Sequence, residues 1–87
     1  MQVFVTERSL KGIAMQDLAA AQKRAIETAE KLSREGRSVK YLRSTFVPDS
    51  GKCSCLFEAG DAATVQALND EAKIPYDRVA PALDLHA

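Results

Sequence analysis

The chain has 87 residues, of which 46% are hydrophobic, a length that suffices for one hydrophobic core but not for two. Twelve basic and twelve acidic side chains cancel and are interspersed, which argues against nucleic acid as a partner. The first residues carry no basic segment and soon reach Glu7, so we expect neither a signal peptide nor a membrane partner. We therefore expect a single cytoplasmic domain over residues 1–87.

The first two predicted elements are a short strand and a long helix. From Gln2 to Arg8 the side chains alternate in the manner of a strand. Between Gln16 and Glu35 apolar residues recur every three or four positions, which predicts an amphipathic helix. This apolar stripe consists of Leu18, Ala21, Ala25, Ala29 and Leu32. Gly36 follows and can adopt the left-handed conformation that ends a helix.

A hairpin is predicted next, with strands Ser38–Val47 and Lys52–Ala59 joined by the turn Pro48–Gly51. Both alternating sets of side chains in Ser38–Val47 include apolar residues, so neither side of this strand is plainly exposed to water. In a two-layer domain the helices cover one side of the sheet, and the other side then needs a partner or a ligand. We therefore expect a homodimer joined through that second side.

The last predicted elements are a shorter helix and an edge strand. Asp61 is a suitable N-cap for a helix over Ala62–Lys73, and Pro75 is expected to end it. Tyr76–Leu85 is apolar but contains Pro81, which restricts it to an interrupted or edge strand. The element order is βαββαβ, which predicts an α+β fold with a four-stranded sheet.

The two cysteines, Cys53 and Cys55, are two positions apart on a predicted strand, so both point to the same face. Parallel side chains oppose a disulfide between them. Buried free thiols are the favoured interpretation, and a metal-binding or redox-active thiolate pair is the alternative. With Phe57 they form the more apolar set of their strand, which we assign to the helix-covered core.

Catalytic motifs are few in this sequence. No Gly-rich phosphate loop and no Ser/His/Asp or Cys/His arrangement with a known catalytic spacing is present, so nucleotide binding and nucleophilic hydrolysis lack their minimum parts. The polar residues within the predicted strands remain as candidates. They are Glu7, Tyr41, Arg43, Ser44, Ser54 and Glu58. The two carboxylates are expected to face water, to pair with Arg8 or Arg43, or to bind a ligand.

Four segments of the chain occur in an order and spacing typical of a known family: Val5-Thr6-Glu7-Arg8-x-Leu10-x-Gly12, Tyr41-Leu42-x-Ser44, Lys52-x-x-Cys55-Leu56-Phe57-Glu58-Ala59-x-Asp61 and Pro75-x-x-Arg78-Val79. Together they resemble a family of small bacterial proteins described as nickel-binding or nickel-responsive. The resemblance implies a ferredoxin-like fold, an antiparallel sheet with two helices on one face, and dimers that close into an α/β barrel. It also implies nickel as the ligand. Leu68 stands where members of the family often have histidine.

Three functional hypotheses follow. The first is a metal-binding homodimer, for nickel or a similar divalent ion, with no other cofactor. Its candidate ligands are Glu7, Glu58, Cys55 and His86, with the two glutamates expected to matter more than the histidine. The second is a cofactor-independent isomerase or monooxygenase acting on a small molecule in a cavity on the open sheet face. There a glutamate would act as the general base, and Tyr41, Arg43 or Ser44 would orient the substrate. The third is a dimeric module without a ligand.

Overall fold

The computed structural model describes residues 1–87 and confirms the predicted βαββαβ order. The elements are β1 (Gln2–Ser9), α1 (Met15–Arg34), β2 (Val39–Val47), β3 (Lys52–Ala59), α2 (Ala62–Ala72) and β4 (Arg78–Pro81). The strands form one antiparallel sheet in the order β2-β3-β1-β4, so β4 is an edge strand as predicted. The fold is ferredoxin-like, with both helices on one face. Neither helix is long and apolar enough to cross a membrane.

Helix α1 packs against β2 and α2. Four of the five residues of its predicted apolar stripe are buried, and Leu18 is half-buried. Arg24 Nε donates a hydrogen bond of 3.0 Å to the carbonyl of Ala72 at the end of α2, and Lys31 pairs with Glu71 at 3.0 Å. These contacts fix the two helices side by side above the sheet.

Helix α2 begins as predicted and ends earlier than predicted. The Asp61 carboxylate accepts hydrogen bonds from the Thr64 hydroxyl (2.7 Å) and the Thr64 backbone N–H (2.9 Å), and these bonds lower the pKa of Asp61. At the other end Lys73 adopts a left-handed conformation (φ 58°). The helix therefore ends at Ala72, and Pro75 plays no direct part in its termination.

Strand β3 shows the predicted alternation. Cys53, Cys55 and Phe57 are buried against the helices, whereas the intervening side chains Ser54, Leu56 and Glu58 are half-buried on the other face. Fourteen buried apolar residues drawn from β1, β2, β3, both helices and the segment after α2 form one core. Leu68 is completely buried in this core, so the position where relatives often have histidine serves packing in this chain.

Strand β2 does not alternate as predicted, because a β-bulge shifts its register between Tyr41 and Arg43. An inserted residue reverses which side chains face the helices beyond that point. Phe46 lies opposite the buried Cys53 and packs on the core, together with Ser44 opposite Cys55. The apolar residues that suggested two apolar faces in β2 are thus mostly on the helix side.

Candidate functional site

The open face is the side of the sheet opposite the helices, and its side chains lie in rows across the strands, of which three bear on the candidate site. One row consists of Arg78, Glu7, Ser54 and Thr45. The middle row consists of Ala80, Val5, Leu56 and Arg43. The last row consists of Val3, Glu58 and Lys40. The open face therefore has an apolar middle, with one glutamate on each side of it.

Glu7 is held in an ion pair with Arg78 on the neighbouring strand. Arg78 Nε donates to Glu7 Oε2 at 2.7 Å, and Nη2 donates to Oε1 at 3.4 Å. This bond lowers the pKa of Glu7 and raises that of Arg78. The predicted partners of Glu7, Arg8 and Arg43, are both wrong, because Arg78 is its direct cross-strand neighbour.

Glu58 lines the open-face recess, a shallow depression of about 890 Å³ at the end of the open face. The C-terminal tail forms one wall of it, because Asp84 pairs with Arg43 on the far edge strand. His86 Nε2 lies 3.2 Å from Asp84 Oδ2. The recess thus brings Glu58, Asp84 and His86 to one region. Asp84 was not among the residues singled out from the sequence.

The four predicted metal ligands do not meet within one chain. Glu58 lies opposite Val3, which is four residues from Glu7 along β1. The two glutamates are therefore separated by about 13 Å. Cys55 is buried on the helix side of the sheet, whereas His86 is exposed in the tail. No three His, Cys, Asp or Glu side chains come close enough to hold a metal ion. The residues of one chain therefore do not fit a closed nickel site.

Tyr41 and Ser44 lie on the helix side, where they form a polar chain with α1. Gln22 Nε2 donates to the Tyr41 hydroxyl at 3.0 Å, the Tyr41 and Ser44 hydroxyls are 2.6 Å apart, and Ser44 Oγ donates to Cys55 Sγ at 2.9 Å. Arg43 faces the other way, because the bulge separates it from Tyr41. The hydroxyls of Tyr41 and Ser44 are therefore engaged on the helix side, whereas the enzyme hypothesis placed them on the open face.

The cysteines are free and buried, as predicted. Their sulfur atoms are 3.8 Å apart. Burial, followed by the neighbouring Cys55, raises the pKa of the Cys53 thiol to about 11. Cys53 is therefore a neutral thiol at physiological pH, which is the state of a packing residue.

Arg8 is the main polar residue that the sequence argument placed wrongly. It is 4% exposed, whereas the sequence suggested it only as one possible ion-pair partner for the two glutamates. The available signal was its parity, because Arg8 shares its strand face with Phe4 and Thr6, both of which are buried. The alternation predicts that Arg8 is buried, but arginine is rarely buried, and this general preference hid the signal.

Comparisons with known proteins give a family and a fold. The family profile described as nickel responsive protein SCO4226-like matches residues 4–81. The crystal structure of SCO4226 from Streptomyces coelicolor A3(2) superposes with a TM-score of 0.79 at 22% sequence identity, over 98% of this chain and 99% of that chain. At this identity the similarity shows the fold alone. No curated protein matches the chain. The family description supports a metal-related role.

Proposed function

The chain belongs to the SCO4226-like family of nickel responsive proteins, and from that premise we propose that it binds nickel or a similar divalent ion as a homodimer. The observation that carries this proposal is the open-face recess, which holds three side chains able to coordinate a metal, Glu58, Asp84 and His86. The three side chains lie in one region, but within one chain they are not close enough to hold a metal ion together. A second copy would supply the ligands that one chain lacks.

A second copy also explains the apolar middle of the open face. Val5, Leu56 and Ala80 are half-buried, and no helix of the chain covers them. Leu83 and Leu85 in the tail are 86% and 84% exposed. Packing two open faces against each other would remove these side chains from water, a gain that matters for a domain of this size. Such packing would form the α/β barrel that the resemblance implies.

Within the recess we assign the larger role to Glu58 and His86. Imidazole is a preferred ligand for nickel, and His86 is the only histidine in the chain. Glu7 is less suitable because a metal would have to displace Arg78 from both carboxylate oxygens. The two reduced thiols suit a reducing compartment, so we place this function in the cytoplasm.

Titration calorimetry with nickel tests the ligand assignment. We expect Glu58→Gln and His86→Ala each to weaken nickel binding by about tenfold or more, since each removes one of few ligands. Glu7→Gln is expected to change the affinity by less than about threefold. Glu27→Gln, an exposed change on α1, serves as the matched control. The absence of binding heat with the unmodified chain would refute the proposal, and equal losses in the Glu7 and Glu58 variants would refute the ligand assignment.

A further inference from the structure

Arg8 is a buried cation without a buried anion. Its guanidinium makes two hydrogen bonds and neither is to a carboxylate: Nε donates to Cys55 Sγ at 3.4 Å and Nη1 to the carbonyl of Pro75 at 3.3 Å. No carboxylate pairs with it. A guanidinium has five N–H donors, and an unpaired buried charge is costly. The fold therefore retains an expensive group whose charge its own residues do not balance.

Arg8 lines the inner pocket, a cavity of about 160 Å³ between α1 and the sheet. Tyr41 and Ser44 of β2 also line this pocket, as do Cys53 and Cys55 of β3. The apolar part of the lining consists of Leu10, Leu18, Ala21, Ala25, Phe46 and Ile74. Gln22 completes the lining and is exposed on α1, so the protein surface is adjacent to the pocket at this point.

We infer that the inner pocket binds a small organic monocarboxylate with an apolar body, of about the size of benzoate. The carboxylate would accept charge-assisted hydrogen bonds from the guanidinium of Arg8, whose planar fork matches a carboxylate. The apolar body would lie against the side chains of α1 and Phe46. This inference does not rest on the nickel proposal, because the inner pocket and the open-face recess are on opposite faces of the sheet.

Size and charge both select this ligand class. A cavity of 150 Å³ is known to hold benzene, so 160 Å³ accommodates one aromatic ring or a branched chain of similar volume. One guanidinium balances one negative charge, and no second cationic side chain lines the pocket. A phosphate ester with two charges would leave one of them buried and unpaired. A neutral ligand would leave Arg8 unpaired.

Benzoate is the probe, and benzamide is its neutral counterpart of the same shape. In a titration followed by backbone amide NMR, we expect saturable binding of benzoate, with the largest shifts in α1 and around Arg8. Benzamide should bind at least tenfold more weakly. Benzoate that does not saturate by about 20 mM, or benzamide that binds as well as benzoate, would overturn the inference.

Two variants separate the charge from the cavity. Arg8→Met removes the guanidinium while keeping an apolar side chain of similar length, and we expect it to weaken benzoate binding by at least tenfold. Ala21→Leu keeps Arg8 but fills the pocket from α1, and we expect it to abolish benzoate binding. This second variant tests the inference independently if Arg8→Met does not fold. Ala20→Leu, on the exposed side of the same helix, is the control that should bind normally. Unchanged benzoate affinity in Ala21→Leu would overturn the inference.

Discussion

Replacing Gly51 by alanine is expected to lower the free energy of unfolding by about 3 kcal/mol or more. Gly51 has a φ of +77°, and a Cβ atom there would lie 2.3 Å from both the Cα and the N of Lys11. The residue is also fixed by hydrogen bonds, because its N–H donates to Val47 at 2.8 Å and its carbonyl accepts from Leu10 at 2.7 Å. Alanine would have to push one backbone segment away from another.

Gly36→Ala is the matched control for this prediction. Gly36 also has a positive φ, +93°, but nothing lies within 4 Å of the position of its Cβ. Its replacement should therefore show the dihedral strain alone, about 1 to 2 kcal/mol. Chemical denaturation of both variants measures the difference. Equal losses would mean that the approach of Lys11 to Gly51 is not a tight constraint.

Replacing Phe57 by alanine is expected to lower the free energy of unfolding by about 3 to 5 kcal/mol. Phe57 is 0% exposed on the central strand β3, and its ring meets that of Tyr41 edge to face at 5.5 Å between centroids. A chain of 87 residues has a total stability of roughly 4 to 13 kcal/mol. The variant should therefore be largely unfolded in moderate urea.

Phe46→Ala makes the same chemical change on the same sheet face and serves as the comparison. Phe46 is half-buried on the edge strand β2, so we expect no more than about half of the loss seen for Phe57. Urea unfolding monitored by circular dichroism compares the two variants. If Phe46→Ala were as damaging as Phe57→Ala, the core would be centred on β2 and not on β3.

The sequence was sufficient for the order of the elements because their periodicity is local. The stripe of α1, the alternation of β3 and the Asp61 cap all follow from residues within a few positions of one another. The register of β2 was not predictable in this way. A bulge at Tyr41 and Arg43 is an added residue without a glycine or proline to mark it, and it moved Phe46 and Ser44 to the other face.

The candidate site was less predictable than the fold because it depends on contacts between distant segments. Arg78 neutralises Glu7 across the β1–β4 pair, and the tail brings Asp84 to Arg43. Sequence spacing contains no information on either contact. The burial of Arg8 is contrary to the usual exposure of arginine. The inner pocket is lined by residues from α1 and three strands, so it is visible only in the folded chain.

Native mass spectrometry of the purified chain, before and after chelator treatment and after addition of nickel, tests the central claim most directly. We predict a homodimer that takes up nickel, and a monomer without nickel for Leu56→Asp, which places a charge in the apolar middle of the open face. Ala20→Asp adds the same charge on the exposed side of α1 and should leave the nickel-bearing dimer intact. An unmodified chain that is monomeric, or a dimer that takes up no nickel, would contradict the account.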